Sequence, residues 1–121
     1  MTTRSLVCIV DDNESVRESL PDLVQFAGYD VQVFASAEDF LASPACDEAT
    51  CLILDVGLPG MSGPELHKEL RRRGRQTPVV FITAQADRSL PARLVADGAA
   101  ACLLKPFSDT ALLDALKAAS G

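Results

Sequence analysis

Residues 51 to 55 read Cys-Leu-Ile-Leu-Asp, an unbroken apolar run that stops on one carboxylate and passes at once into Val56-Gly57-Leu58-Pro59-Gly60. The run is too short for a helix and is bounded by turn residues, so it reads as a strand. Apolar side chains alternate to both faces of a strand, so both faces must be covered, which is the situation of a central strand in a parallel sheet. Ligands in such sheets bind in the crevice beyond the carboxyl ends of the strands. Asp55, as the last residue of the run, therefore belongs at the mouth of a site.

The same pattern recurs along the chain. Ser5 to Val10 is an apolar run that ends against Asp11 and Asp12. Tyr29 to Phe34 is a shorter strand in which Val31 and Val33 alternate. Pro78 to Thr83 ends on a hydroxyl, and Ala101 to Leu104 ends at Lys105-Pro106. Between them lie helical stretches. Asn13-Glu14-Ser15 opens one with Val16, Leu20, Leu23, Val24 and Ala27 on a stripe and Gly28 at its end, and Pro21 inside it predicts a kink. Ser36-Ala37-Glu38-Asp39 and Ser62-Gly63-Pro64-Glu65 have capping-box spacing. Ser43 to Thr50 reads as a polar loop, a helix carries Leu90, Leu94 and Val95, and Ser108 caps a last helix with Leu112, Leu113 and Leu116 inward. Five strands alternating with five helices predict a doubly wound α/β fold, a five-stranded parallel sheet covered on both sides.

With 121 residues there is room for one domain, taken as 1–121, and not for two. A net charge of -6 argues against direct nucleic-acid binding, which needs a basic face. The single basic run, Arg71-Arg72-Arg73 with Arg75, falls where a helix ends and its dipole favours cations. The four cysteines show no Cys-x-x-Cys spacing; Cys8, Cys51 and Cys102 lie in apolar runs as small hydrophobes. No basic-then-apolar leader and no apolar stretch near membrane length is seen, so a reducing cytoplasm is the expected setting. His67, the lone histidine, reads as a solvent-facing helix residue.

Four strand ends thus deliver Asp11 and Asp12, Asp55, Thr83 and Lys105 to one edge. Three gathered carboxylates repel one another, and a hard dication is the usual remedy. Mg²⁺ suits such a site, since it takes few protein carboxylates, keeps waters and bridges to phosphate oxygens; Mn²⁺ favours the same oxygen donors.

The paired acids after the first strand, the lone Asp55, Thr83-Ala84 and Lys105-Pro106-Phe107 together resemble the receiver domain of two-component response regulators. The likeness runs from about Leu6 to Ala118. Val10 to Arg17, Met61 to Leu66 and Lys105 to Asp109 resemble the branch that carries a helix-turn-helix transcriptional output domain. The resemblance implies a flavodoxin-like topology. It also implies that Asp55 accepts a phosphoryl group from the phosphohistidine of a sensor histidine kinase and that the domain then switches conformation to control an output such as transcription. Catalysis would be limited to that transfer and its reversal by hydrolysis, which is a signalling role and not that of an enzyme. The ion would be held by Asp12 and Asp55, by Asp11 largely through water, and by the Gly57 carbonyl. Thr83, Lys105 and the backbone N–H of Val56 or Ala84 would hold the phosphoryl oxygens. The family's bond before Pro106 is cis. An aromatic residue usually stands three positions before the lysine and swings as the signal leaves; here that position is Cys102, so output is expected through 84–89 and the following helix. The resemblance fits either a free-standing receiver or the input half of a longer regulator with a DNA-binding output domain outside this chain, and it implies phosphorylation-dependent homodimers. Charge and hydropathy lead to the expectation of no direct nucleic-acid binding and no membrane contact by this domain.

Three other readings compete. A haloacid-dehalogenase-like phosphohydrolase uses a similar strand-end Asp, Mg²⁺, Thr and Lys, but needs an acid two residues on, where Gly57 stands. A flavin-binding module of this topology would need aromatic residues and a Ser/Thr-rich phosphate loop that are missing. A receiver-like domain could also bind partners without phosphorylation.

Overall fold

In the computed structural model, residues 5–84 and 88–120 are described. Five strands, β1 (Leu6–Val10), β2 (Asp30–Phe34), β3 (Cys51–Asp55), β4 (Val79–Thr83) and β5 (Ala101–Leu104), form one sheet in the order β2-β1-β3-β4-β5. Every pairing is parallel. Six helices connect them: α1 (Glu14–Phe26), α2 (Ala37–Leu41), α3 (Ala45–Glu48), α4 (Gly63–Arg72), α5 (Leu90–Ala96) and α6 (Asp109–Ser120).

The period of two along each strand divides the core. Cys8, Val10, Leu52, Leu54 and Phe81 face Phe40 of α2, Leu66 and Leu70 of α4 and Leu94 of α5. Val7, Ile9, Ile53, Val80 and Ile82 face Val24 of α1 and Leu112 and Leu116 of α6. Each of these large side chains, removed from water, contributes roughly 1.5–3 kcal/mol toward offsetting chain entropy. β3 is buried at every position, Asp55 included, which places an acid where a hydrophobe would otherwise sit.

The caps follow the sequence pattern. The Asn13 side chain accepts the Ser15 N–H at 2.9 Å, Ser36 Oγ accepts from Asp39 at 3.0 Å, and Ser108 Oγ accepts from Ala111 at 3.0 Å. Ser62 and Glu65 complete a reciprocal capping box. α1 continues past Pro21 to Phe26.

Two expectations are corrected. The segment 43–50 is not a plain loop: Pro44 presets the backbone at φ -57°, and one helical turn follows that buries Ala45 against the sheet. His67 does not face solvent. It is 8% exposed, and its ring meets Phe81 edge-on with centroids 5.7 Å apart. Gly63, Leu66, His67 and Leu70 follow the i, i+3, i+4, i+7 spacing of one helix face, and that face lies on the sheet. Burial pushes the imidazole pKa down, as does the cation of Arg71.

The basic run is satisfied within the chain. Arg72 and Arg73 both bind Glu69 at 2.7 Å, Arg75 pairs with Asp47, and the Arg71 guanidinium donates to the Asp97 carbonyl. All four cysteines are free, and burial pushes the thiols of Cys8 and Cys51 up to about 12 and about 11. Among the described residues no helix is long and apolar enough to cross a membrane.

Candidate functional site

The chain passes from β1 outward to β2 and then crosses to β3 on the other side of β1. This reversal opens a crevice at the carboxyl ends of β1 and β3, the position favoured for ligands in open α/β sheets. A cavity of about 500 Å³ lies there, lined by Asp11, Asp12, Asn13, Asp55, Gly57, Thr83, Ala84 and Lys105. Another cavity of about 500 Å³ sits at the amino ends of β1 and β2, and its lining, from Ser5 to Thr50, gathers no comparable set of groups.

Asp11 is wholly buried yet fully partnered. One carboxylate oxygen accepts the Asn13 N–H at 2.8 Å and the other accepts Lys105 Nζ at 3.0 Å. Its main chain is held as well: its N–H donates to the Phe34 carbonyl at 3.1 Å, and its carbonyl accepts Arg17 Nη1 at 3.0 Å. Asp12, one residue on, turns outward and is exposed. Lys105 also reaches Asp55 Oδ1 at 3.6 Å, so one ammonium stands between two carboxylates. The Lys105 N–H donates to the Thr83 carbonyl at 2.8 Å, which ties the ends of β4 and β5, and the Lys105-Pro106 bond is cis. Thr83 is almost wholly buried beneath the cavity.

Carboxylate oxygens of Asp11, Asp12 and Asp55 lie within 4.8 Å of one another. Around an octahedral Mg²⁺ neighbouring oxygens stand about 3 Å apart and opposite ones about 4.2 Å, so the three acids suit such an ion once they draw in on it, or with a retained water between one acid and the ion. The local charge points the same way, since three carboxylates face one ammonium among the described residues that line the cavity. Burial pushes the Asp55 carboxyl above the usual range, and the charges of Asp11 and Asp12 add to this; Lys105 and the Gly57 main chain oppose it.

The sites expected from sequence fall into three groups. Asp11, Asp12, Asp55, Gly57, Thr83, Ala84 and Lys105 meet at one cavity. Val56 does not join them as a donor. Its N–H donates to the Ile82 carbonyl at 3.0 Å, because the β3–β4 ladder runs one residue beyond Asp55, and the free strand end presents Gly57 instead. Cys102 is half-buried in β5, opposite Phe81 in register, and packs on the α2, α4 and α5 side of the core. Of the expected output segment 84–89, residues 85–87 lie outside the described residues.

One determinant escapes the sequence pattern. A Cβ on Gly63 would collide with the Asp55 carbonyl oxygen and stand 3.2 Å from Phe81 Cε1. Helix α4 therefore rests its first turn directly on the backbone of Asp55, and the Gly63 N–H donates to the Val56 carbonyl at 3.2 Å. A glycine that follows a glycine-containing turn shows no sign of this approach in the sequence.

Comparison with known proteins agrees with this geometry. Residues 7–117 match the family described as the response regulator receiver domain. Nodulation protein W of Bradyrhizobium diazoefficiens is 41% identical over 119 residues, 98% of this chain and 52% of that protein. Transcriptional regulatory protein FixJ of Azorhizobium caulinodans is 39% identical over 115 residues, 95% of this chain and 54% of that protein. The solved structure of response regulator StyR superposes with a TM-score of 0.87 at 41% identity, covering 97% of this chain and 59% of that one. The chain thus spans about half the length of the curated relatives it matches.

Proposed function

This chain belongs to the response regulator receiver family, and we propose that within it Asp55 is the residue that accepts a phosphoryl group. The observation that carries the reading is the convergence of Asp11, Asp12 and Asp55 with Lys105, whose ammonium lies 3.0 Å from Asp11 and 3.6 Å from Asp55. The donor is the phosphohistidine of a sensor histidine kinase. A carboxylate oxygen of Asp55 attacks phosphorus, the P–N bond breaks, and the imidazole leaves with the electron pair. Transfer of this kind asks for positioning and charge neutralisation more than covalent chemistry. Lys105 supplies a point charge to one phosphoryl oxygen, the Thr83 hydroxyl donates to a second, and the N–H groups of Gly57 and Ala84 complete the cradle. Asp11, Asp12, Asp55 and the Gly57 carbonyl would hold Mg²⁺, or Mn²⁺ in its place, which offsets negative charge on the phosphoryl oxygens. Asp11 also acts on the lysine: buried and bound to Asn13 and Lys105, it fixes where the ammonium stands.

Phosphorylation then biases a conformational equilibrium that an output domain reads. By likeness to FixJ, named a transcriptional regulatory protein, the output proposed is a DNA-binding domain outside this chain. A hydrolase reading is disfavoured by Gly57, which offers no titratable group where a general acid is required. The test is incubation with acetyl phosphate and Mg²⁺, read by intact mass. One added phosphoryl group, lost with EDTA, supports the reading; an unchanged mass refutes it.

A further inference from the structure

Loop 56–62 carries Gly57 beside Asp55, and its ends are secured by its own neighbours. Val56 is bound into the sheet, and Ser62 is fixed by the capping box with Glu65. One further tie reaches the loop from a distant element. Glu38, in the first turn of α2, accepts the Met61 N–H on Oε2 at 2.9 Å. The chain makes room for it: Gly60 has φ +70°, and a Cβ there would come within 2.7 Å of that same oxygen. The contact joins residues 23 apart in sequence, and neither Glu38 nor Met61 lines the cavity.

We propose that Glu38 is a positioning residue that fixes the loop carrying Gly57, and through it the ease with which the site takes a cation and a phosphoryl group. This rests on the reading of Asp55 as acceptor. The physical link is short. Gly57 lines the cavity with Asp55, and four residues later the Met61 N–H is anchored to a carboxylate on another helix. The Met61 N–H also holds the Glu38 carboxyl below its usual range, so the anchor is an ionised acceptor at neutral pH. Removing it frees the stretch between the buried Leu58 and the capped Ser62 without touching any residue that lines the cavity.

The test compares Glu38→Ala and Glu38→Gln with the unaltered chain, by amide NMR of Gly57 and Met61, by Mg²⁺ titration and by the rate of acetyl phosphate labelling. Loss of one such bond corresponds to about a threefold to tenfold weaker Mg²⁺ affinity and slower labelling. The expected result is that Glu38→Ala shows this loss and shifts the Gly57 amide, while Glu38→Gln, which keeps an acceptor, stays within about twofold of the unaltered chain. The inference is overturned if Glu38→Ala leaves the Gly57 amide and Mg²⁺ affinity unchanged, or if both variants lower only the melting temperature. Absence of labelling in the unaltered chain would refute the acceptor role instead, and the amide and Mg²⁺ measurements would still decide the role of Glu38.

Discussion

Replacing Asp55 by Asn should stabilise the metal-free protein. Asp55 is 8% exposed, and two Coulomb effects act on it in opposite directions. At an effective dielectric near 20, Lys105 at 3.6 Å attracts the carboxylate by about 4.6 kcal/mol. Repulsion from Asp11, whose oxygen lies within 4.8 Å, costs about 3.5 kcal/mol or more. Asp12 lies within the same 4.8 Å and, though exposed and screened, adds to the repulsion, so the two acids together outweigh the lysine and the cost of burying the charge acts in the same direction, in agreement with the raised carboxyl. Asparagine keeps the shape and discards the charge, a relief of the size typical when a charge held unfavourably for function is removed, about 1 kcal/mol. A chain of 121 residues unfolds with an entropy near 0.25 kcal/mol/K, so the melting temperature should rise by about 4 °C in EDTA. Mg²⁺ should reverse the ranking. At ten times its dissociation constant an ion stabilises the unaltered protein by about 1.4 kcal/mol, or about 6 °C, and the variant by much less. Thermal melts by circular dichroism, with and without Mg²⁺, read both effects. A lower melting temperature for Asp55→Asn in EDTA, or an equal Mg²⁺ shift in both proteins, would refute the reasoning.

Gly63→Ala should cost about 1–3 kcal/mol, because its methyl meets the Asp55 carbonyl and not a flexible side chain; a melt unchanged by the substitution would contradict that contact. Lys105→Ala should keep the native circular dichroism spectrum while slowing acetyl phosphate labelling about a hundredfold, and a globally unfolded variant would count against a site role. The lowered pKa of His67 means that the unfolded chain takes up its proton first as pH falls below about 6.5, so stability is lost on acidification from there. Melts at pH 7.5 and pH 5.5 should therefore show a smaller acid loss for His67→Leu than for the unaltered chain; equal losses would show that His67 does not govern it.

The legible parts of this fold are those governed by short-range pattern. Strand ends could be read because an apolar run that stops on Asp55 or Thr83 announces both the strand and its polar tip. The caps at Asn13, Ser36, Ser62 and Ser108 were equally plain, being local hydrogen-bond motifs. The single turn α3 is too short to display a period. His67 lies on a stripe that the spacing of Gly63, Leu66 and Leu70 does reveal, but the polarity of imidazole hides its membership. The engagement of the Val56 N–H depends on how far the β3–β4 ladder extends, which residue types do not encode. Gly63 against Asp55 and Glu38 on Met61 are meetings of separate elements, visible only once the chain is folded.

The most direct measurement locates the phosphoryl group itself. After labelling with acetyl phosphate and Mg²⁺, borohydride reduces an acyl phosphate to the alcohol, converting the phosphorylated aspartate to homoserine, and peptide mass mapping finds the position. Homoserine at residue 55 alone, absent when Asp55 is replaced by Asn, is the result expected. Homoserine at Asp11 or Asp12, or at no aspartate in protein that has gained the mass, would contradict the assignment of Asp55.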